Sequence, residues 1–121
     1  MSSAPVIRTP ADNRGVTLGG QPMVFLVTGE DTKHTSMFDW TIPAGFATGL
    51  HVHRVQEETF YVLEGEMRLF LQNPKEEVRL KPGETYTAVA KRPHLVTNAG
   101  KGSLTFLIMQ GIGEYDYVPM V

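Results

Sequence analysis

Two histidines with a single residue between them, His51 and His53 in the stretch GLHVHRVQEETF, stand just ahead of an acidic pair, Glu57 and Glu58. Imidazole nitrogen and carboxylate oxygen together form a donor set suited to divalent transition metals. On an extended strand, residues two apart project to the same side with α-carbons about 6 to 7 Å apart, so both imidazoles can reach one ion. On a helix they diverge. The alternation of Leu50 and Val52 with the two histidines favours the extended form. Glu58 lies five residues past His53 and would point away if the strand simply continued, so the RVQE segment has to turn the chain back. A hairpin there would bring a carboxylate beside the imidazoles, and such a turn can present either Glu57 or Glu58. A further donor must come from far along the chain. The candidate is His94 in KRPHLVTN, where Pro93 biases Arg92 toward extended geometry. The remaining histidine, His34, reads as a solvated loop residue.

Short elements with tight connections have to hold these groups. Turn signals recur at Gly19 and Gly20, Gly29, Pro43, Gly65, Pro74, Pro82, Pro93 and Gly100. Between them lie runs of strand character: MVFLV, SMFDWTI, TFYVL, MRLFL, VRL, TYTAVA, LVTN and LTFLIM. No window sustains a 3.6-residue apolar period, so the chain is expected to be all-β, a sandwich or barrel with almost no helix. Gly65 sits between two such runs as a hairpin turn requires. In the first of them Phe60 and Val62 share one face while Tyr61 and Leu63 share the other. Both faces therefore call for cover, from a second sheet or from another subunit. Phe38, Trp40, Phe46, Phe60, Tyr61, Phe70, Tyr86 and Phe106 are expected in the core, some of them lining a pocket over the site. Met67, Met109 and Met120 read as packing residues.

The totals bound the function. A chain of 121 residues, 41% hydrophobic and 20% charged, makes one compact domain. Net charge is −2 with scattered basic residues, which argues against nucleic acid or a membrane surface as partner. Cysteine is absent, so disulfides and thiolate ligands are excluded. No apolar run reaches signal-peptide or membrane-span length, and the expectation is a soluble cytoplasmic protein. Residues 1–15 read as a flexible N-terminal arm and residues 16–121 as the folded domain.

At this point the sequence resembles the cupin superfamily. The first cupin motif, G-x5-H-x-H-x3/4-E-x6-G, falls on Gly45, His51, His53, Glu58 and Gly65 with the longer spacer. The second, G-x5-P-x-G-x2-H-x3-N, is met by Gly83, His94 and Asn98, with Val89 and Lys91 in place of its proline and glycine. The resemblance implies a double-stranded β-helix, a jelly-roll barrel, and His51, His53, Glu58 and His94 as ligands to one divalent transition metal ion (Fe, Ni, Mn, Cu, Co or Zn). It favours Glu58 over Glu57 and implies a homodimer; Asn98, ahead of Ala99 and Gly100, reads as a turn-closing structural residue. The flanking stretches GEDTKHTSMFDWTIPAG and LTFLIMQGIGEYDY look like the quercetin-dioxygenase-like single-domain branch. That likeness implies dioxygenation of a small oxygenated molecule, flavonol- or diketone-like, with O2 as co-substrate and Glu58 as the catalytic proton acceptor. With redox-silent zinc, related cupins catalyse cyclisation, isomerisation or lyase chemistry on polyketide- or sugar-like substrates. A non-catalytic small-molecule-binding module is the reading from another class.

Overall fold

Strands of five to eight residues that alternate buried and exposed side chains bury one face only, and two such sheets stacked face to face make a closed core. The computed structural model describes residues 5–18, 20–111 and 116–120; Gly19 of the expected Gly-Gly turn lies outside them, as does the segment 112–115. Among the described residues the strands are β1 (Gly15–Leu18), β2 (Gln21–Val27), β3 (Ser36–Ile42), β4 (His51–Val52), β5 (Glu57–Glu64), β6 (Met67–Leu71), β7 (Glu76–Leu80), β8 (Thr85–Ala88), β9 (His94–Asn98), β10 (Leu104–Gly111) and β11 (Val118–Pro119). The helical content among them is a single 3-10 turn, Pro10–Asp12. All-β architecture is therefore as the turn spacing predicts.

One sheet has the order β1-β2-β3-β10-β5-β8 and the other β11-β4-β9-β6-β7, with every pairing antiparallel. Between them lie Ile42, Phe60, Val62, Met67, Leu69 and Phe106, each 2% exposed or less. Each such side chain contributes roughly 1.5–3 kcal/mol by leaving water. Trp40 and Phe106 pack with ring centroids 5.9 Å apart, and Phe46 meets Trp40 edge-on at 5.5 Å.

Several expectations need correction. Gly65 does turn the chain, at φ +90°, but β5 and β6 belong to different sheets and do not pair as a hairpin. Both runs bury a face in the same core from opposite sides, so the connection must cross the sandwich. The RVQE segment likewise passes from β4 in one sheet to β5 in the other rather than forming a hairpin. Tyr61 on β5 and Phe70 on β6, expected in the core, stay outside it, and with Leu63 44% exposed no second sheet covers the outer face of β5 among the described residues, which leaves another subunit as the expected cover. Met120, expected to pack, is also exposed, whereas Met67 is fully buried.

Register places polar groups at one level of the six-stranded sheet. Ser36, Gln110 and Glu58 are directly opposed on β3, β10 and β5. One step further along the same face come Phe38, Ile108 and Phe60, and then Trp40, Phe106 and Val62. The sandwich thus has an apolar interior capped by a polar row.

Candidate metal centre

The ligand candidates arrive from both sheets. His51 stands on β4, His53 immediately follows it, and His94 opens β9 as the direct cross-strand partner of His51. Glu58 approaches from β5 on the opposite sheet, on the same face as Phe60 and Val62. One donor atom from each of the four side chains lies within 4.8 Å of the others, and all four residues are buried. Glu57, the competing carboxylate, is exposed on the outer face. His34 is exposed in a loop, as expected.

Hydrogen bonds orient the imidazoles. His51 Nδ1 faces Gly49 O at 2.8 Å, His53 Nδ1 faces Asp116 O, and His94 Nδ1 faces Arg92 O at a long 3.5 Å. A carbonyl oxygen only accepts, so each Nδ1 carries a proton, and in the neutral imidazole that a metal requires each Nε2 turns a lone pair inward. His94 Nε2 lies 3.0 Å and His53 Nε2 3.3 Å from Glu58 Oε1, yet His53 Nε2 is buried without a hydrogen bond. Lone pairs facing a carboxylate oxygen in a buried site repel one another unless a positive charge stands among them. These residues fit a divalent cation.

Electrostatics show that the buried carboxylate draws positive charge toward itself. Burial would raise the Glu58 carboxyl, but His53 and His94, which give it hydrogen bonds and positive charge when Nε2 is protonated as well, outweigh burial and hold Glu58 below the usual carboxylate range. Burial pushes the His51 imidazole down to about 4 despite its bond to Gly49. Burial acts on His53 similarly, but Glu58 overrides it and raises His53 above the ordinary imidazole value.

Sequence reasoning missed the groups around the ligands. The Asp116 carboxylate accepts from Val55 N at 2.7 Å and Gln56 N at 2.9 Å, which pins the crossover between His53 and Glu58. Those two amides hold its pKa below the usual carboxylate range against the effect of burial. Tyr117 stacks on His51 with ring centroids 4.4 Å apart. Gln110 donates to Glu58 Oε2 at 2.6 Å. Asn98 behaves as expected: its side chain donates to Ile42 O and Gly102 O and accepts from Gly100 N.

The ligands open onto a cavity of about 710 Å³ between the sheets. His51, His53 and Glu58 share its wall with aromatic groups, among them Phe38, Trp40 and Phe46. No lysine or arginine lines it among the described residues.

Comparison with known proteins adds relatives to this geometry. The Cupin_2 family, described as a cupin domain, matches residues 38–110. An uncharacterised protein of Methanocaldococcus jannaschii is 39% identical over 72 residues, covering 60% of this chain and 56% of that protein. The chain thus aligns with little more than half of that relative's length. A Klebsiella pneumoniae protein with a double-stranded β-helix domain superposes with a TM-score of 0.75 at 19% identity, covering 95% of this chain and 96% of the other. Bacillus subtilis oxalate decarboxylase, in a structure concerned with its Mn(II) centers, superposes with a TM-score of 0.79 at 17% identity, covering 99% of this chain and 35% of that one. At such identities these likenesses show the fold. Among the described residues, no helix is long and apolar enough to cross a membrane.

Proposed function

This chain belongs to the cupin family, and from that premise we propose that it is a metal-dependent enzyme acting on a small, largely apolar oxygenated molecule, flavonol- or diketone-like, by dioxygenation. The observation that carries this reading is the union of a buried donor cluster, three imidazoles and one carboxylate, with an aromatic cavity that has no cationic side chain in its described lining. A compact dianion such as oxalate finds no lysine or arginine in that lining to make charge-assisted hydrogen bonds with a carboxylate. A flat aromatic or conjugated molecule instead finds Phe38, Trp40 and Phe46 in the wall. Placement in the quercetin-dioxygenase-like branch belongs with this reading.

His51, His53, His94 and Glu58 would hold the ion; Mn(II) centers in the Bacillus subtilis structure support a divalent metal here. The ion supplies Lewis acidity toward a substrate oxygen and, if redox-active, a path for electrons to O2. The protein's own groups do the rest. The aromatic wall orients the substrate and excludes water. A proton leaving a substrate hydroxyl has two carboxylates in the lining to go to, Glu58 and Asp116. One Asp116 oxygen already accepts from two backbone amides and the other faces Arg54 Nε at 3.5 Å, whereas Glu58 stands at the proposed ion with Oε2 accepting from Gln110, which favours Glu58 as the acceptor.

A homodimer is part of the proposal. β1 is an edge strand, and Val24 on β2 and Leu63 on β5 are 47% and 44% exposed on the outer face of the sheet, so a second copy has backbone to pair with and apolar surface to cover. Light scattering on the eluting protein is expected to give twice the chain mass. The activity is tested with an oxygen electrode, using protein loaded in turn with iron, nickel, copper and manganese and supplied with a flavonol or a β-diketone. Substrate-dependent O2 uptake that Glu58→Gln reduces is the expected result. No uptake with any of these ions, together with turnover by the zinc form, would replace dioxygenation with non-redox chemistry.

A further inference from the structure

Ser36 and Gln110 offer no atom to the proposed ion, yet they are built into the same row as Glu58. The three are opposed in register on adjacent strands β3, β10 and β5, so their side chains emerge side by side on one face of the sheet. Ser36 is 3% exposed. The hydrogen bonds along this row run in one direction. An ionised carboxylate accepts only, so the Gln110 amide nitrogen donates to Glu58 Oε2 at 2.6 Å. Gln110 Oε1 then faces Ser36 Oγ at 3.0 Å, and the hydroxyl donates to it. The reversed amide would set a carbonyl oxygen against the carboxylate, and the Ser36 hydroxyl opposes that reversal. The other carboxylate oxygen, Oε1, is the one that stands beside His94 Nε2 and His53 Nε2.

We propose that Ser36 and Gln110 are positioning residues that commit Glu58 to the metal through Oε1 alone. This rests on the reading that the four side chains bind an ion, and it says what that reading leaves unspecified: how one carboxylate is kept from occupying two positions. Held this way, Glu58 leaves more of the ion's surface to substrate. Groups that fix a ligand from behind typically account for about 10- to 100-fold in metal affinity.

The test is a titration of the metal-free full-length protein with Co(II), following its visible absorption and obtaining affinity by competition with a chelator. Wild type, Gln110→Leu, Ser36→Ala and Ser36→Thr are compared. Gln110→Leu is expected to bind Co(II) about 10- to 100-fold more weakly, with an altered absorption band as the freed carboxylate changes its mode of binding. Ser36→Ala should move both readouts in the same direction by less, and Ser36→Thr, which keeps the hydroxyl, should restore them. Wild-type affinity and band shape in both Gln110→Leu and Ser36→Ala would overturn the positioning role while leaving the metal site intact. Failure of wild type to bind Co(II) would overturn the site and this inference together. Should Gln110→Leu fail to fold, as judged by its urea unfolding curve, Ser36→Ala decides between the same two outcomes.

Discussion

The imidazole of His53 condenses the chemistry of the site: its Nδ1 is engaged by a backbone carbonyl, and its Nε2 is buried beside a carboxylate with no hydrogen bond. Residue types and spacing are enough to bring His51, His53 and His94 forward, because a His-x-His pair on a strand is legible without knowing the fold, whereas the choice of Glu58 over Glu57 comes from the family resemblance. Gln110, Ser36 and Asp116 are not legible in that way, since only the strand register and the return of the chain end set them beside the ligands. A signal exists for Gln110: it ends the inward series Leu104, Phe106, Ile108, where a polar residue breaks an apolar face. Away from the site, Asp31 illustrates the same dependence on distant partners. Burial would raise its carboxyl, but hydrogen bonds from Arg8, the Thr28 amide and Arg14 outweigh it and hold Asp31 down at about 2. Its pKa is depressed on folding, so its stabilising contribution is complete above the unfolded value of about 4 and fades as pH falls through the folded value. Asp31→Asn is therefore expected to lower the melting temperature at neutral pH, with the gap to wild type closing as pH drops below about 4. A gap independent of pH would remove this ion-pair cluster from the acid response.

At the scale of elements, turn signals tell where the chain bends but not which sheet receives the next strand. That is why Gly65 is legible as a turn while its hairpin is not what forms. The second motif shows the converse, in which the residue changes and the backbone does not. Lys91 stands where the motif has glycine, and it adopts φ +70°, the left-handed conformation that glycine takes without strain. Its amide donates to His53 O at 2.6 Å, tying the loop before His94 to the end of the His51–His53 segment. The strain is accepted because that bond joins the two halves of the site. Lys91 is exposed, so little packing is lost when its side chain is removed. Lys91→Gly is expected to stabilise the protein by about 0.5–1 kcal/mol, the relief of left-handed strain less the added freedom of the unfolded chain. Urea unfolding measures it, and a destabilised variant would show that the lysine side chain has a packing role.

For the whole molecule, the arrangement of an apolar interior under a polar row leaves space between the sheets and chemistry at one end of it. The chain's single tryptophan, Trp40, lines that space, so its fluorescence reports what enters. A flavonol or an aromatic diketone is expected to quench it saturably in the metal-loaded protein, while oxalate leaves it unchanged. The opposite order would mean that the cavity selects small dianions. Everything at this scale depends on four side chains from two sheets meeting at one ion. The most direct measurement is the metal content of purified wild type against His94→Ala after identical dialysis, determined by elemental analysis. Stoichiometric divalent metal in wild type and its loss in the variant is the predicted result. Equal metal in both, or none in wild type after exposure to each candidate ion, would contradict the shared site.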